Sequence, residues 1–170
     1  MTTLVRVRRD QFKVILVDLA RAHPHAMERA GFLYCRSALN GKLSLAYEYR
    51  PVADDDYVVN PSVGACIGSG AIRAAMQFAL DSQVGCFHVH LHGGVGEPWF
   101  SPTDLDTAKG LVPSFRAVSP DSAHGALVLS KISGSLLALE PAGSGLVPGR
   151  LSIVGYPSRI RGGTDGPRAP

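Results

Sequence analysis

Two histidines and an aspartate lie near the middle of the chain, and their types and spacing are suited to catalysis. His90 and His92 are one residue apart. Because a β-strand places residues i and i+2 on the same face, both imidazoles can point at one position. Asp104 follows twelve residues after His92 and can return through a loop as a third ligand. Catalytic zinc has three protein ligands and a water molecule, whereas structural zinc has four protein ligands. The spacing therefore predicts a catalytic metal site.

A strand and a helix are needed to position these ligands. Residues 84–92 are almost entirely apolar up to the histidines, which is typical of a central strand covered on both faces. Pro102 lies where a helix can begin, with Ser101 as its N-cap. The segment between them, 93–100, contains glycines and a proline and is predicted to be a loop.

The other predicted elements complete an α/β chain. Helices are predicted over about 10–22 and 69–82, capped by Asp10 and Ser69. The Asn40-Gly41 pair predicts a hairpin between two strands. The buried faces of the two helices are predicted to include Phe12, Ile15, Leu16, Leu19, Ala20, Ile72, Ala75, Met76 and Leu80. The predicted strands cover residues 4–7, 31–36, 42–49, 113–118, 125–131, 134–140 and 150–155.

The composition predicts one soluble domain. The 170 residues are 45% hydrophobic and 18% charged, with a formal net charge of +3. The basic residues are spread along the chain, so nucleic acid is not an expected partner. The apolar run 12–19 is too short and too charged to cross a membrane, so no membrane partner is expected. The domain is predicted to cover residues 1–160, and the tail at 161–170 is predicted to be disordered.

The cysteines indicate the compartment. Cys35, Cys66 and Cys86 are isolated, and none belongs to a C-x-x-C pair. An odd number of cysteines in apolar surroundings is typical of buried, reduced thiols. We therefore expect a cytoplasmic protein, because disulfides are rare in that compartment.

The pattern as a whole resembles the motif of a known enzyme family. His90-x-His92 followed by Ser101-x-x-Asp104 resembles the JAMM motif of JAB/MPN-domain metalloproteases. That family also has a glutamate upstream, and Glu28 begins a Glu-Arg-Ala-Gly segment ahead of an apolar strand at the matching place. The order of elements agrees over essentially the whole folded part of the chain. The resemblance implies a single α/β domain of JAB/MPN type, with a central mixed β-sheet flanked by helices.

The chain departs from the family pattern at two points. Gly93 follows the second histidine where the family usually has proline, and the loop 93–100 is one residue longer than usual. A one-residue insertion in a flexible loop is easily absorbed. It leaves His88 and His90 as an alternative ligand pair. The shorter loop favours His90 and His92, with His88 behind the ligands or in the core.

The resemblance also implies a mechanism and a substrate class. His90, His92 and Asp104 would bind Zn²⁺, Glu28 would act as general base and then general acid, and Ser101 would donate a hydrogen bond to the oxyanion. The reaction would be hydrolysis of a peptide or isopeptide bond, next to the C-terminal glycines of a ubiquitin-like or sulfur-carrier protein. The tail of that protein is the expected partner.

Several other residues are weaker candidates. Asp106 is an alternative to Asp104 as the third ligand, but it does not have the Ser-x-x-Asp spacing from Ser101. Two histidines flank a proline in His23-Pro24-His25, and the proline spoils a regular strand face. The glycine-rich stretch Gly64–Gly70 lacks the residues of a phosphate-binding loop and is predicted to be a tight strand-to-helix turn. Trp99-Phe100 could either line a substrate channel or cover the core.

Two other functions remain open from the sequence. His90-x-His92-x₄-Glu97 matches the beginning of a cupin metal motif, which needs a later histidine. His124 is the available one, and the residues before it are typical of a turn. The other alternative is a scaffold of MPN type without activity, which applies if the loop insertion misplaces Ser101 and Asp104.

Overall fold

The computed structural model describes residues 2–60 and 62–155 in full and the backbone of residues 159–161. The predicted disordered tail at 161–170 lies outside these described residues, apart from the backbone of Arg161. The elements in chain order are β1 (Leu4–Arg8), α1 (Arg9–Leu19), β2 (Ala30–Ala38), β3 (Leu43–Pro51), a 3₁₀ turn (Asp54–Asp56), α2 (Ser69–Ser82), β4 (Gly85–Leu91), α3 (Pro102–Val118), β5 (His124–Leu129), β6 (Gly134–Leu139), β7 (Val147–Pro148), β8 (Arg150–Val154) and β9 (Arg159–Arg161).

The described strands form one mixed sheet in the order β7-β6-β5-β4-β2-β3-β1-β8-β9. β4 runs antiparallel to β2 and parallel to β5, so it is a central strand with a neighbour on each side. The two sides of the sheet approach each other at β6 and β8, because Gly149 N–H donates to Leu136 O of β6 and the next residue, Arg150, donates its N–H to Thr3 O beside β1. The sheet is therefore a nearly closed barrel, which agrees with the predicted mixed sheet flanked by helices.

The two faces of the sheet bury different helices. On one face α1 packs through Phe12, Ile15 and Leu19 against Phe87 and Val89 of β4. On the opposite face α2 and α3 pack over a second cluster, and α3 also covers β5. Both faces of β4 are thus covered, which explains why its sequence is almost continuously apolar.

Some element predictions are wrong in detail. Residues 113–118 belong to α3 and not to a strand. Pro113 lies inside this helix on an exposed position, where the carbonyl that loses its partner can reach water. Asp10 and Ser69 are not N-caps, since the caps are Arg8 and Gly68.

Two residues predicted to be buried, Ala20 and Leu80, are exposed. The hairpin at residues 39–41 is confirmed, and all three of its residues have positive φ.

The cysteines are free in the described structure. Cys35 and Cys86 lie buried on β2 and β4, and this burial raises the pKa of both thiols. Cys66 is half-buried. The prediction of buried thiols is therefore right for two of the three.

Candidate metal centre

The end of β4 brings two imidazoles together as the sequence predicts. His90 lies in the strand and His92 lies just past its last residue, on the face that α2 and α3 cover. The two Nε2 atoms are 3.2 Å apart. His90 is buried, and its Nδ1 is also buried, without a hydrogen-bond partner among the described residues. The other ring nitrogen, Nε2, is the one that faces His92 and Asp104.

Asp104 reaches the histidines from the first turn of α3. Its Oδ1 lies 3.2 Å from His90 Nε2 and its Oδ2 lies 3.4 Å from His92 Nε2. A capping box fixes this carboxylate, because Ser101 N–H donates to Asp104 Oδ2 at 2.7 Å and Asp104 N–H donates to Ser101 Oγ at 3.2 Å. The same aspartate thus begins the helix and contacts both imidazoles.

The loop before α3 is tied to the turn between β5 and β6. Gly96 O accepts a hydrogen bond from Ser133 Oγ at 3.1 Å, and Pro98 O accepts one from Ser135 Oγ. His92 N–H donates to Leu129 O of β5. The extra residue in this loop therefore does not separate Ser101 and Asp104 from the histidines.

Glu28 approaches the group from the loop before β2. Its Oε1 lies 3.9 Å from His92 Nε2. Within the described part of the chain, Glu28, His90 and His92 form a set that can hold a metal ion, since one ligand atom from each lies within 4.8 Å of the others. Glu28 and Asp104 are thus two carboxylates beside one pair of histidines.

Gly64 fixes the position of Glu28. Its carbonyl oxygen accepts hydrogen bonds from the backbone N–H groups of Met27 and Glu28, at 2.8 and 3.0 Å. A Cβ atom at position 64 would lie 2.9 Å from both Cδ and Oε2 of Glu28. The side chain of Glu28 therefore occupies the space that a larger residue at position 64 would need.

The electrostatics around the ligands favour an ionised Asp104 and a neutral His88. Burial raises the pKa of Asp104, but the hydrogen bond to His90 and the charge of that ring, together with Ser101, outweigh it, so the pKa lies below its ordinary value. His88 lies two residues before His90. Loss of water around its ring, and then the neighbouring His90, lower its pKa to about 3.

One cavity of about 930 Å³ opens onto these residues. The carboxylate of Glu28 and the imidazoles of His90 and His92 line it together with Ser101 and Asp104. Trp99 and Phe100 also line it, and Phe100 packs against the core under α3 as well, so Trp99 fits the channel interpretation and Phe100 fits both interpretations. Trp99 is 74% exposed and marks the rim of the cavity.

The weaker candidates lie apart from the group. Asp106 is exposed and pairs with Lys109. His23 is held by a local turn, in which its Nδ1 accepts from the N–H groups of His25 and Ala26. Neither His23 nor His25 lines the cavity.

The cupin ligand set is not brought together. His124 lies at the other end of β5, four residues from the position paired with His90, or about 13 Å along the strand. It is fully buried, its Nδ1 accepts from Cys86 N–H, and its Nε2–H donates to Ser119 O. Glu97 lines the same cavity as His90 and His92, but without His124 the cupin ligand set is incomplete.

Sequence reasoning missed the segment that supports Glu28. Tyr57 and Ile67 form an antiparallel bridge, and Val58 N–H donates to Cys66 O, so residues 57–58 lie antiparallel to residues 66–67, and Gly64 contacts Glu28. The glycine-rich composition of this stretch was the available signal. The composition does not tell which residue the stretch contacts.

Compared with models of known protein families and with curated proteins, the chain matches none. No helix in the described residues is both long enough and apolar enough to cross a membrane.

Proposed function

We propose that this protein is a zinc-dependent metallopeptidase of the JAMM type, which hydrolyses a peptide or isopeptide bond. The proposal rests on the convergence of Glu28, Ser101 and three ligand groups at one end of a cavity. Its predicted ligands are His90, His92 and Asp104.

The observation that carries the proposal is the spacing of the ligand atoms. Zn²⁺ binds imidazole nitrogen and carboxylate oxygen at 2.0–2.1 Å, so two ligands of a tetrahedral site lie about 3.3 Å apart. The separations here are 3.2 Å between the two Nε2 atoms, 3.2 Å from His90 Nε2 to Asp104 Oδ1 and 3.4 Å from His92 Nε2 to Asp104 Oδ2. The donor set and its spacing fit zinc with one position left for water.

Glu28 suits the proton transfers. When bound, zinc would lower the pKa of a water molecule and polarise the scissile carbonyl. Glu28 lies 3.9 Å from His92 Nε2, further from it than the Asp104 oxygen is, so its carboxylate can lie beside the ligands without replacing one. It accepts the proton of the attacking water and passes it to the leaving amine.

Ser101 suits the stabilisation of the oxyanion. Its Oγ accepts the Asp104 N–H, and no acceptor for its own hydroxyl hydrogen is found among the described residues. It lines the cavity beside the ligands. The hydroxyl can therefore donate to the oxygen on which negative charge develops.

The proposed substrate is the C-terminal tail of a ubiquitin-like or sulfur-carrier protein. An extended tail can enter an open cavity as a strand, and glycines beside the scissile bond allow a close approach of its carbonyl. The three free cysteines fit a reducing compartment, and we place the protein in the cytoplasm.

The test is the zinc content of the purified chain and of the His92→Ala and Asp104→Ala variants, measured by elemental analysis. We expect one zinc ion per chain in the native protein and none in either variant, followed by cleavage of ubiquitin-like fusions by the native protein alone. If the native protein contained no zinc, the catalytic proposal would be overturned and only a binding role would remain. Zinc kept in Asp104→Ala but lost in Glu28→Ala would make Glu28 the third ligand and remove it as the base.

A further inference from the structure

The cavity extends from the ligands along the sheet to His88. This residue lies two positions before His90 on the same face of β4, and the two ring centroids are 5.7 Å apart. His88 lines the cavity and is half-buried. Its ring contacts are to Phe32 and His90, and neither ring nitrogen has a hydrogen-bond partner among the described residues. The ring nitrogens of His88 are therefore free to hydrogen-bond with a group that enters the cavity.

The walls around His88 are apolar. Ile72 of α2 and Leu111 of α3 face the cavity from two helices, and Ile67 lies at the end of the segment before α2. On the sheet, Ala126 of β5 is the neighbour of His88 in register, and its small side chain leaves room beside the imidazole. The lining of the cavity thus combines these aliphatic side chains with the imidazole of His88.

We propose that this pocket, lined by His88, Ile67, Ile72, Leu111 and Ala126, binds one substrate side chain that has an apolar body and a hydrogen-bonding tip, as tyrosine has. The apolar walls bury the body of the side chain. His88 forms a hydrogen bond with the polar end of that side chain, because a neutral imidazole has one donor nitrogen and one acceptor nitrogen. The inference rests on the proposed peptidase function, and it adds that a residue on the other side of the scissile bond from the glycines of the tail is selected by its side chain.

Binding is tested first, without any reaction. The zinc-loaded protein and the metal-free protein are titrated with p-cresol and with toluene, while the side-chain ¹⁵N resonances of the histidines are followed by NMR. We expect p-cresol to shift the resonances of His88 and to bind about 3- to 10-fold more tightly than toluene, the range that one hydrogen bond provides. The resonances of His124, which is buried and already bonded at both nitrogens, serve as an internal control and stay unchanged.

Variants then assign the preference to the imidazole. His88→Leu is expected to remove the preference for p-cresol over toluene, and His88→Gln is expected to keep part of it, because the amide still forms a hydrogen bond. His25→Leu is the matched control, since His25 is exposed and lies away from the cavity. Equal affinity for the two probes in the native protein, or an unchanged preference in His88→Leu, would overturn the inference.

Peptides separate this inference from the proposed function. A set of peptides that differ only in the residues flanking the scissile bond is incubated with the zinc-loaded protein. Faster cleavage of tyrosine peptides than of phenylalanine peptides, lost in His88→Leu, is the expected result. Cleavage without any such selection would overturn the pocket and leave the peptidase intact. No cleavage of any peptide or ubiquitin-like fusion, with p-cresol still preferred, would overturn the peptidase and leave a binding pocket.

Discussion

His-x-His spacing occurs in two regions of the chain, the loop at His23–His25 and the strand end at His88–His92, and only the strand region becomes a candidate metal site. His90 and His92 sit at the end of a central strand, and their Nε2 atoms are 3.2 Å apart. His23 and His25 sit in a loop, where their rings meet edge to face and His23 Nδ1 is used by the backbone. The spacing in sequence is identical. The difference teaches that a ligand pair needs a regular backbone that aims both side chains the same way.

The same contrast extends to the two halves of the site. Asp104 and Ser101 are positioned by a capping box at the start of α3, which is a local arrangement. Glu28 comes from the loop that also carries His23 and His25, and it depends on Gly64, which is far away in sequence. One half of the site is therefore built by neighbouring residues, and the other half needs long-range support.

The largest effect is expected from removing a histidine of the strand pair. His92→Ala should weaken zinc binding by more than about 100-fold. Changing a residue that only hydrogen-bonds to a ligand costs about 10- to 100-fold, and removing the ligand itself should cost more. His25→Ala, the matched change in the loop pair, should leave zinc content unchanged, and so should His88→Ala. Elemental analysis and zinc titration give the comparison. Loss of zinc in His88→Ala but not in His92→Ala would shift the ligand register by two residues.

The next effect concerns the carboxylate carried by the loop. Glu28→Gln should keep zinc and fold but lose about 10²- to 10⁴-fold in turnover, because an amide cannot accept the proton. Steady-state rates on a cleaved substrate, together with zinc content, test this. Full activity in the variant would exclude Glu28 from the mechanism.

A smaller effect is expected when the support of Glu28 is disturbed. A methyl group at position 64 would push against the carboxylate, so Gly64→Ala should lower turnover by about 10- to 100-fold with zinc retained. Gly110→Ala on α3 is the control, because a Cβ at that position would have no atom within 4 Å apart from its chain neighbours and the nearby backbone of its own helix. An equal rate for Gly64→Ala and Gly110→Ala would mean that Glu28 does not need this contact.

The smallest effect concerns the local half of the site. Ser101→Ala removes the N-cap of α3 and should lower the free energy of unfolding of the metal-free protein by about 1 kcal/mol. Ser69→Ala, at the first residue of α2, removes no cap and should change that free energy by less than about 0.5 kcal/mol. Urea unfolding followed by circular dichroism measures both. Similar losses in the two variants would show that the capping box does not stabilise α3.

Predictions from the sequence were most accurate for elements whose structure depends on neighbouring residues. The apolar run before His90 and the Ser101-Pro102 start of α3 were both placed correctly, because strand alternation and helix caps depend on adjacent residues. The strand predicted at 113–118 was wrong. The residues of this stretch are compatible with a strand as well as with a helix. They form a helix because Leu111, Val112 and Phe115 pack against the sheet in that conformation.

The sequence by itself determined the chemical groups and their local geometry: two imidazoles on one strand face and a carboxylate in a helix cap. Only the tertiary structure decided which partners these groups meet. Gly64 holds Glu28 beside His92, and the opposing helices leave a cavity that reaches His88. These contacts join segments that are far apart along the chain, and they arise from the way whole elements pack, which no local pattern encodes.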